Sequence, residues 1–227
     1  MDRPMADTAV FDIDGTLVDS NYQHVVAWHR AFRSVDITVP LWTVHRAIGM
    51  GGDMLVAYVA GDDVEKAHGD EIRDAWESAF DGLIEQVSAF EGATALIDAV
   101  HERGFRVALA SSGKAKHVEQ FLDLIGDTSA ADAILTSDDV EQSKPEPDLV
   151  QRAIERAGGT SGVLIGDSIW DCHAGRNAHT PTIAIKSGGF SEAALRDAGA
   201  VAVYDSLVDL HEDLASSPLA SPPQQRR

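Results

Sequence analysis

The sequence predicts an α/β fold, a doubly wound, Rossmann-like parallel sheet core interrupted by an inserted helical domain. Three observations predict it. Short apolar strand patterns alternate with amphipathic helical ones through most of the chain; polar residues appear where several of those strands stop; and one long stretch, 18–89, carries helical patterns and no clear strand.

The first strand pattern runs from Thr8 to Ile13 (TAVFDI) and meets Asp14-Gly15, where glycine lets the chain turn sharply. Further strands are expected at Phe105 to Ala110, Ala133 to Thr136, Val163 to Gly166, Thr182 to Ile185 and Val201 to Tyr204. The segments GATALIDAVHERG, KAKHVEQFLDLIG, PDLVQRAIERAGG and SEAALRDAGA between them read as helices, most closed by a glycine suited to a C-cap. Such alternation belongs to parallel strands covered on both faces. The core is thus expected over 1–17 and 90–212.

Within 18–89, Ser20 reads as an N-cap for NYQHVVAWHRAF, and GDDVEKAHGDEIRDAWESAFDGLIEQ as one or two further helices. Between them IGMGGDML, 48–55, reads as a glycine-rich turn that packs or faces substrate. It lacks the strand-loop-helix setting of a dinucleotide or nucleoside triphosphate site. The end of the chain, 213–227, is rich in Pro, Ser and Gln and is expected to be disordered.

The 227 residues are 44% hydrophobic, enough to bury a core, and 18 basic against 37 acidic residues give a net charge of −19. That field repels nucleic acid and anionic membranes. No apolar run approaches the ~20 residues that span a bilayer, and the opening MDRPMADTAV has no apolar signal segment, so a cytoplasmic location is expected. The single cysteine, Cys172, agrees with a reducing compartment. No exposed apolar stripe stands out, and a monomer is expected.

Chemistry concentrates at the strand ends. Asp12 and Asp14 lie two apart where the first strand closes, so both carboxylates are expected on one side. Such a pair needs compensation, either a hard cation such as Mg²⁺ or a proton held on one of them. IGDSIWD supplies Asp167 and, four residues on, Asp171, which a helix start would bring to the same face. Ligands of parallel sheets bind beyond the carboxyl ends of strands, where Asp12, Asp14 and Asp167 would meet. Ser111, Ser112 and Gly113 precede a helix and offer hydroxyls and backbone N–H groups to a phosphate. Lys144 in SKPEPD adds the positive charge.

FDIDGTLVDS, ALASSG, SKPEPD and IGDSIWD resemble, in order, the four motifs of the haloacid dehalogenase superfamily of phosphohydrolases, and the helical insertion resembles the small cap of its phosphoglycolate phosphatase and β-phosphoglucomutase branch. The resemblance implies a Mg²⁺-dependent phosphatase acting on a small phosphorylated metabolite. Asp12 would be nucleophile, Asp14 general acid and base, and Ser111 and Lys144 would hold the phosphate. Mg²⁺ would take the Asp12 carboxylate, the Asp14 backbone carbonyl and Asp167, with Asp171 farther out or reached through water. His24 and Trp28 stand where that branch places residues facing the site.

Other readings are tested by particular residues. A phosphomutase needs a cationic residue for its second phosphate, and Arg46, just before the glycine-rich loop, is the candidate. Phosphonoacetaldehyde hydrolysis needs a cap lysine, and Lys66 is the only one. A dehalogenase is disfavoured by the presence of Asp14. A phospho-receiver module would share the acidic cluster and lysine but predicts a shorter chain without insertion.

Overall fold

A computed structural model describes residues 6–220. Strands β1 (Thr8–Asp12), β2 (Arg106–Ala110), β3 (Ala133–Leu135), β4 (Gly162–Gly166), β5 (Thr182–Ile185) and β6 (Ala200–Tyr204) form one sheet in the order β3-β2-β1-β4-β5-β6. Every pairing is parallel, which confirms the α/β class. The strands read as apolar runs because both faces are covered. Ala9 and Phe11 of β1 join a cluster with Leu96, Ile97 and Phe121, while Val10 joins another with Leu149 and Ala153. Those partners lie on α5 (Ala93–Glu102), α6 (Ala115–Ile125) and α7 (Asp148–Arg156); α8 (Ile169–Asn177), α9 (Glu192–Ala198) and α10 (Leu207–Glu212) complete the layers.

The order places β1 centrally. The chain adds β2 and β3 on one side and then β4 to β6 on the other, so the sheet reverses direction of growth beside β1. In open α/β sheets that reversal leaves a crevice beyond the strand ends. Register aligns the three neighbours there, Asp12 beside Ala110 and Phe11 beside Ile165. Ser111 and Asp167 directly follow β2 and β4, so they emerge at the edge where Asp12 ends β1.

Between β1 and β2 lie α1 (Asn21–Ser34), α2 (Leu41–Ala47), α3 (Gly52–Ala60) and α4 (Asp62–Asp81). At the neck the outgoing and returning chains pair: Asp19 N–H donates to the Ser88 carbonyl at 2.8 Å, Phe90 N–H to that of Leu17 at 2.9 Å, and Val18 bridges Ala89 antiparallel. Inside the insert, Ile72, Trp76 and Phe80 recur at one-turn spacing on α4 and are buried, as are Trp28 and Phe32 of α1.

Several expectations need correction. The insert holds two helices, α2 and α3, that the sequence pattern hid: one begins after Pro40 and the other opens on a glycine. Only the first half of the expected 48–55 turn is a turn, and the segment from Asp62 is a single helix of 20 residues. Ser20 occupies the N-cap position of α1 but its side chain makes no capping bond; its hydroxyl turns to Asp14 instead. The chain expected to be disordered from 213 is packed as far as Ala220. Leu214, Ser217 and Leu219 are buried, and the Arg103 guanidinium donates to the Ala220 carbonyl at 3.2 Å. Two leucines anchor an otherwise Ser- and Pro-rich stretch; 221–227 lie outside the described residues. No helix among the described residues is long and apolar enough to cross a membrane.

Candidate active site

An apolar strand delivers Asp12 to the crevice almost without solvent. Its carboxylate accepts a hydrogen bond from the Lys144 ammonium, which also donates to Asp171 Oδ1 at 2.8 Å; all three side chains are buried. Asp171 is fixed by a capping box that starts α8, with its Oδ2 accepting from the backbone N–H and the hydroxyl of Ser168 at 3.0 and 2.6 Å. Asp167 accepts from the Asn21 side-chain amide at 2.8 Å and from the Thr16 hydroxyl at 3.0 Å. Gly15 lies so close that a Cβ there would stand 2.4 Å from Asp167, and its φ of +77° is a conformation glycine adopts freely.

Oxygens of Asp12, Asp167 and Asp171 all lie within 4.8 Å of one another. Three carboxylates against one ammonium leave negative charge uncompensated in a buried place. Its imprint is electrostatic. Burial, then the neighbouring carboxylates against the pull of Lys144, pushes Asp12 well above the ordinary carboxylate range. Asp167 is pushed up to about 7 by burial and by Asp171, against the bonds from Asn21 and Thr16. Lys144 would lose its proton more readily through burial alone, but Asp12 and Asp171 hold it well above its ordinary value. The Asn21 Oδ1, beside Asp167, is buried without a hydrogen-bond partner. An all-oxygen cluster short of positive charge, with an orphaned acceptor beside it, fits a hard divalent cation.

Asp14 belongs to a different setting. Its Oδ1 lies 2.9 Å from His24 Nε2 and accepts from the Ser20 hydroxyl at 3.1 Å; its Oδ2 accepts from the Ser111 hydroxyl at 2.6 Å. Burial would raise Asp14, but the bond and charge of His24, then Ser111 and Lys144, bring it down to about 2. Of the two aspartates, the carboxyl held high is therefore Asp12, whereas a proton kept for acid catalysis would belong on Asp14.

Asp12, Asp14, Ser112, Gly113 and Lys144 face residues of the insert, among them His24, Trp28, Met50 and Trp76, across a cavity of about 60 Å³. Ser112, expected on the phosphate, and His24, expected to face the site as a substrate-binding residue, both line it. The Ser112 hydroxyl is buried without a partner, whereas Ser111 is turned to Asp14 and its oxygen also accepts from Gly113 N–H at 2.8 Å. The Asp14 side chain, committed to three partners, is not in the acidic cluster, so only its backbone carbonyl is left for the cation contact expected of it. Asp171, expected farther out, is in the cluster. Arg46 lines another cleft with Trp42 and His173, and Lys66 is exposed on α4; neither reaches the cavity. The glycine-rich loop does. Ile48 to Met50 line the cavity, and Gly51 approaches the core so closely that a Cβ would collide with Ser143. Thr16 and Asn21 escaped the sequence reading, although both lie in or directly after FDIDGTLVDS.

The sequence profile of the haloacid dehalogenase-like hydrolases matches residues 9–185. The chain belongs to that family. Among solved structures, a hydrolase from Pseudomonas syringae is 31% identical and superposes with a TM-score of 0.86, over 92% of this chain and 98% of that one. A phosphoglycolate phosphatase from Rhodospirillum rubrum is 27% identical over 222 residues, 91% of this chain and 90% of its own. A pyrophosphatase, PpaX, from Bacillus velezensis is 26% identical over 180 residues, 78% and 81% of the two chains. This haloacid dehalogenase-like chain is a phosphohydrolase, and its acidic cluster could hold a metal.

Proposed function

We propose that the enzyme hydrolyses a small phosphomonoester, of the phosphoglycolate or sugar-phosphate kind, through an aspartyl-phosphate on Asp12, with Mg²⁺ as its metal. The observation that carries this reading is the Asp12 carboxylate on the cavity, bound to Lys144 and flanked by Asp14 and an unpartnered Ser112 hydroxyl. Asp12, Asp167 and Asp171 would hold the metal, with the Asp14 backbone carbonyl. When bound it supplies positive charge that offsets the repulsion between anionic nucleophile and anionic ester.

Asp12 then forms the new bond to phosphorus while the ester P–O bond breaks. Asp14 Oδ1 and His24 Nε2, 2.9 Å apart, can share one proton and deliver it to the departing oxygen. In the second half the same pair accepts a proton from water, whose oxygen displaces Asp12 and releases phosphate. Lys144 holds its proton throughout and neutralises the phosphoryl oxygens; the Ser112 hydroxyl and Gly113 give the phosphate further donors at the start of α6. Helices α1 to α4 act as a cap that excludes bulk water and shapes the leaving-group side.

The test is phosphate release from a panel of small phosphomonoesters, with Mg²⁺ or with chelator, for wild type beside Asp12→Asn. Release is expected to vanish with chelator and in the variant. Release that survives Asp12→Asn would remove the covalent intermediate, and release indifferent to chelator would remove the metal.

A further inference from the structure

The insert side of the cavity is apolar and aromatic, and this constrains what leaves when phosphate is taken. Trp28 and Trp76 stack at 5.0 Å between ring centres with planes 16° apart; Phe80 continues the stack from Trp76 at 5.8 Å and 17°, and His24 lies on Phe80 at 4.0 Å and 4°. The Trp76 indole N–H is buried and unpartnered, like the Ser112 hydroxyl on the core side. Two buried hydrogen-bond donors on residues that line the cavity are therefore without a partner, and Trp28 and Trp76 form part of its wall.

Among the described residues that line the cavity, no cation is free of a carboxylate partner. Lys144 is shared between Asp12 and Asp171, and His24 faces Asp14. The cavity continues into a groove of about 630 Å³, which shares Trp28, Gly52, Trp76, Ser112 and Gly113 with it. The cations of that groove are already paired. Arg73 is bound twice by Glu65, at 2.8 and 3.0 Å, and by Asp70 at 2.8 Å, and Lys114 is bound by Glu77. Asp53, Asp74 and Glu141 line the same groove. A second anionic group on the substrate would meet the carboxylates of Asp53, Asp74 and Glu141, and to gain a cation it would have to displace Glu65 and Asp70 from Arg73 or Glu77 from Lys114. Size agrees with a split binding mode. At about 10–15 Å³ per water, the 60 Å³ inner cavity holds a phosphate and little more, so the alcohol must occupy the groove.

We infer that the substrate is a phosphomonoester whose leaving group is an uncharged, hydroxylated ring, held against Trp28 and Trp76, and that esters carrying a second anionic group are poor substrates. The inference rests on the phosphatase reading above and selects the sugar-like over the glycolate-like member of its substrate pair. A ring's apolar side would pack against the parts of Trp28 and Trp76 that line the cavity, and one of its hydroxyl oxygens would accept the Trp76 N–H.

The experiment compares kcat/KM with Mg²⁺ for glucose 6-phosphate and inositol 1-phosphate against phosphoglycolate, pyrophosphate and fructose 1,6-bisphosphate, with ethyl phosphate as a small uncharged control. In parallel, ¹⁹F NMR follows capture of beryllium trifluoride by Asp12, a phosphoryl mimic with no leaving group. At least one ring ester is expected to exceed every anionic ester and ethyl phosphate by about tenfold or more. Trp76→Phe, which keeps an aromatic ring but removes the N–H and part of the indole surface, is expected to raise KM for the ring ester several-fold more than for ethyl phosphate. Any other ranking, or an equal effect of Trp76→Phe on both esters, overturns the inference. If beryllium trifluoride is captured while the ranking fails, the nucleophile stands and only the leaving-group assignment falls. If nothing is turned over and nothing captured by the folded protein, the phosphatase reading falls and this inference with it.

Discussion

Two charge clusters stand on either side of the stacked rings, and they are built on opposite terms. In the crevice, Lys144 is 4% exposed between Asp12 at 2% and Asp171 at 0%. At the seam where the insert meets the core, Lys114 and Lys116 at the start of α6 face Glu77 and Asp81 of α4, and Lys114, Lys116 and Asp81 are 43–48% exposed. The seam is nearly neutral and wet. The crevice is dry and short of positive charge, with three carboxylates to one ammonium. Charges paired in water cost little to make or break. Unbalanced charges buried beside a cavity are expensive in the empty protein and favourable once a cation and a phosphate arrive, which suits a site that must bind.

The largest effect follows from breaking the crevice. Lys144→Met would leave Asp12 and Asp171 buried without their ammonium, and removal of one partner from such a set costs about 3–5 kcal/mol. The variant is therefore expected to melt well below wild type in metal-free buffer and to lose phosphate release by about a hundredfold or more, the scale for one lost charge-stabilising donor. Differential scanning calorimetry and a phosphate assay check both. A variant that melts like wild type would mean that the carboxylates, not the lysine, set the cost of this cluster.

Next in size is the response of the crevice to pH and metal, read at Asp167. Its pKa is about 7 in the fold against 3.8 for a free side chain. The unfolded chain gives up this proton first, so the group's contribution to stability is full below about pH 4 and is lost as pH rises through 7. About three pKa units at ~1.4 kcal/mol each bound the loss at roughly 4 kcal/mol. Asp14, lowered to about 2, works in the opposite sense, but its contribution is lost only as pH falls below about 4. Metal-free Asp167→Asn is thus expected to be more stable than wild type at pH 8, with the gap closing toward pH 5, while Mg²⁺ raises the melting temperature of wild type at pH 8 far more than that of the variant. A gap independent of pH would show that Asp167 stays ionised in the empty fold.

How much of this was legible in the sequence divides along the same line. Asp12, Ser111, Asp167 and the six strands could be read because each is a local event, a polar residue at the end of an apolar run. Their partners come from elsewhere in the chain. Asn21 reaches Asp167, and His24 reaches Asp14, only because α1 docks over the crevice, and no period in the sequence encodes that docking. Ser20 shows the competition directly: it has the right residue type for a cap, yet the buried Asp14 carboxylate takes its hydroxyl. Arg46 shows the converse. It lies at a plausible distance along the chain, but the turn into the glycine loop leaves it on a different cleft. The helix hidden behind Gly52 was missed because a glycine start looks like loop, although that glycine lies against the edge of the Trp28 ring.

The smallest effect belongs to the seam, and its sign opposes the crevice. Glu77→Gln combined with Asp81→Asn is expected to lower the melting temperature slightly at low ionic strength, and the difference should fade by about 0.5 M salt, where screening acts within a few ångströms. His117 refines this. Its Nε2 lies 2.8 Å from Asp81 while its ring is buried beside Phe80 and its Nδ1 has no partner. Burial lowers its pKa below the ordinary 6.5, against the pull of Asp81. A lowered histidine contributes stability that is present above 6.5 and lost as pH falls through its folded value. Between pH 7 and 5, therefore, the crevice gains stability while the seam loses it. Hydrogen exchange across the α4–α6 contact, corrected for intrinsic rates, should quicken over that interval in wild type while β1 and β4 become more protected. Parallel changes in both regions would mean that the two clusters respond to pH as one unit, and the contrast between them would be lost.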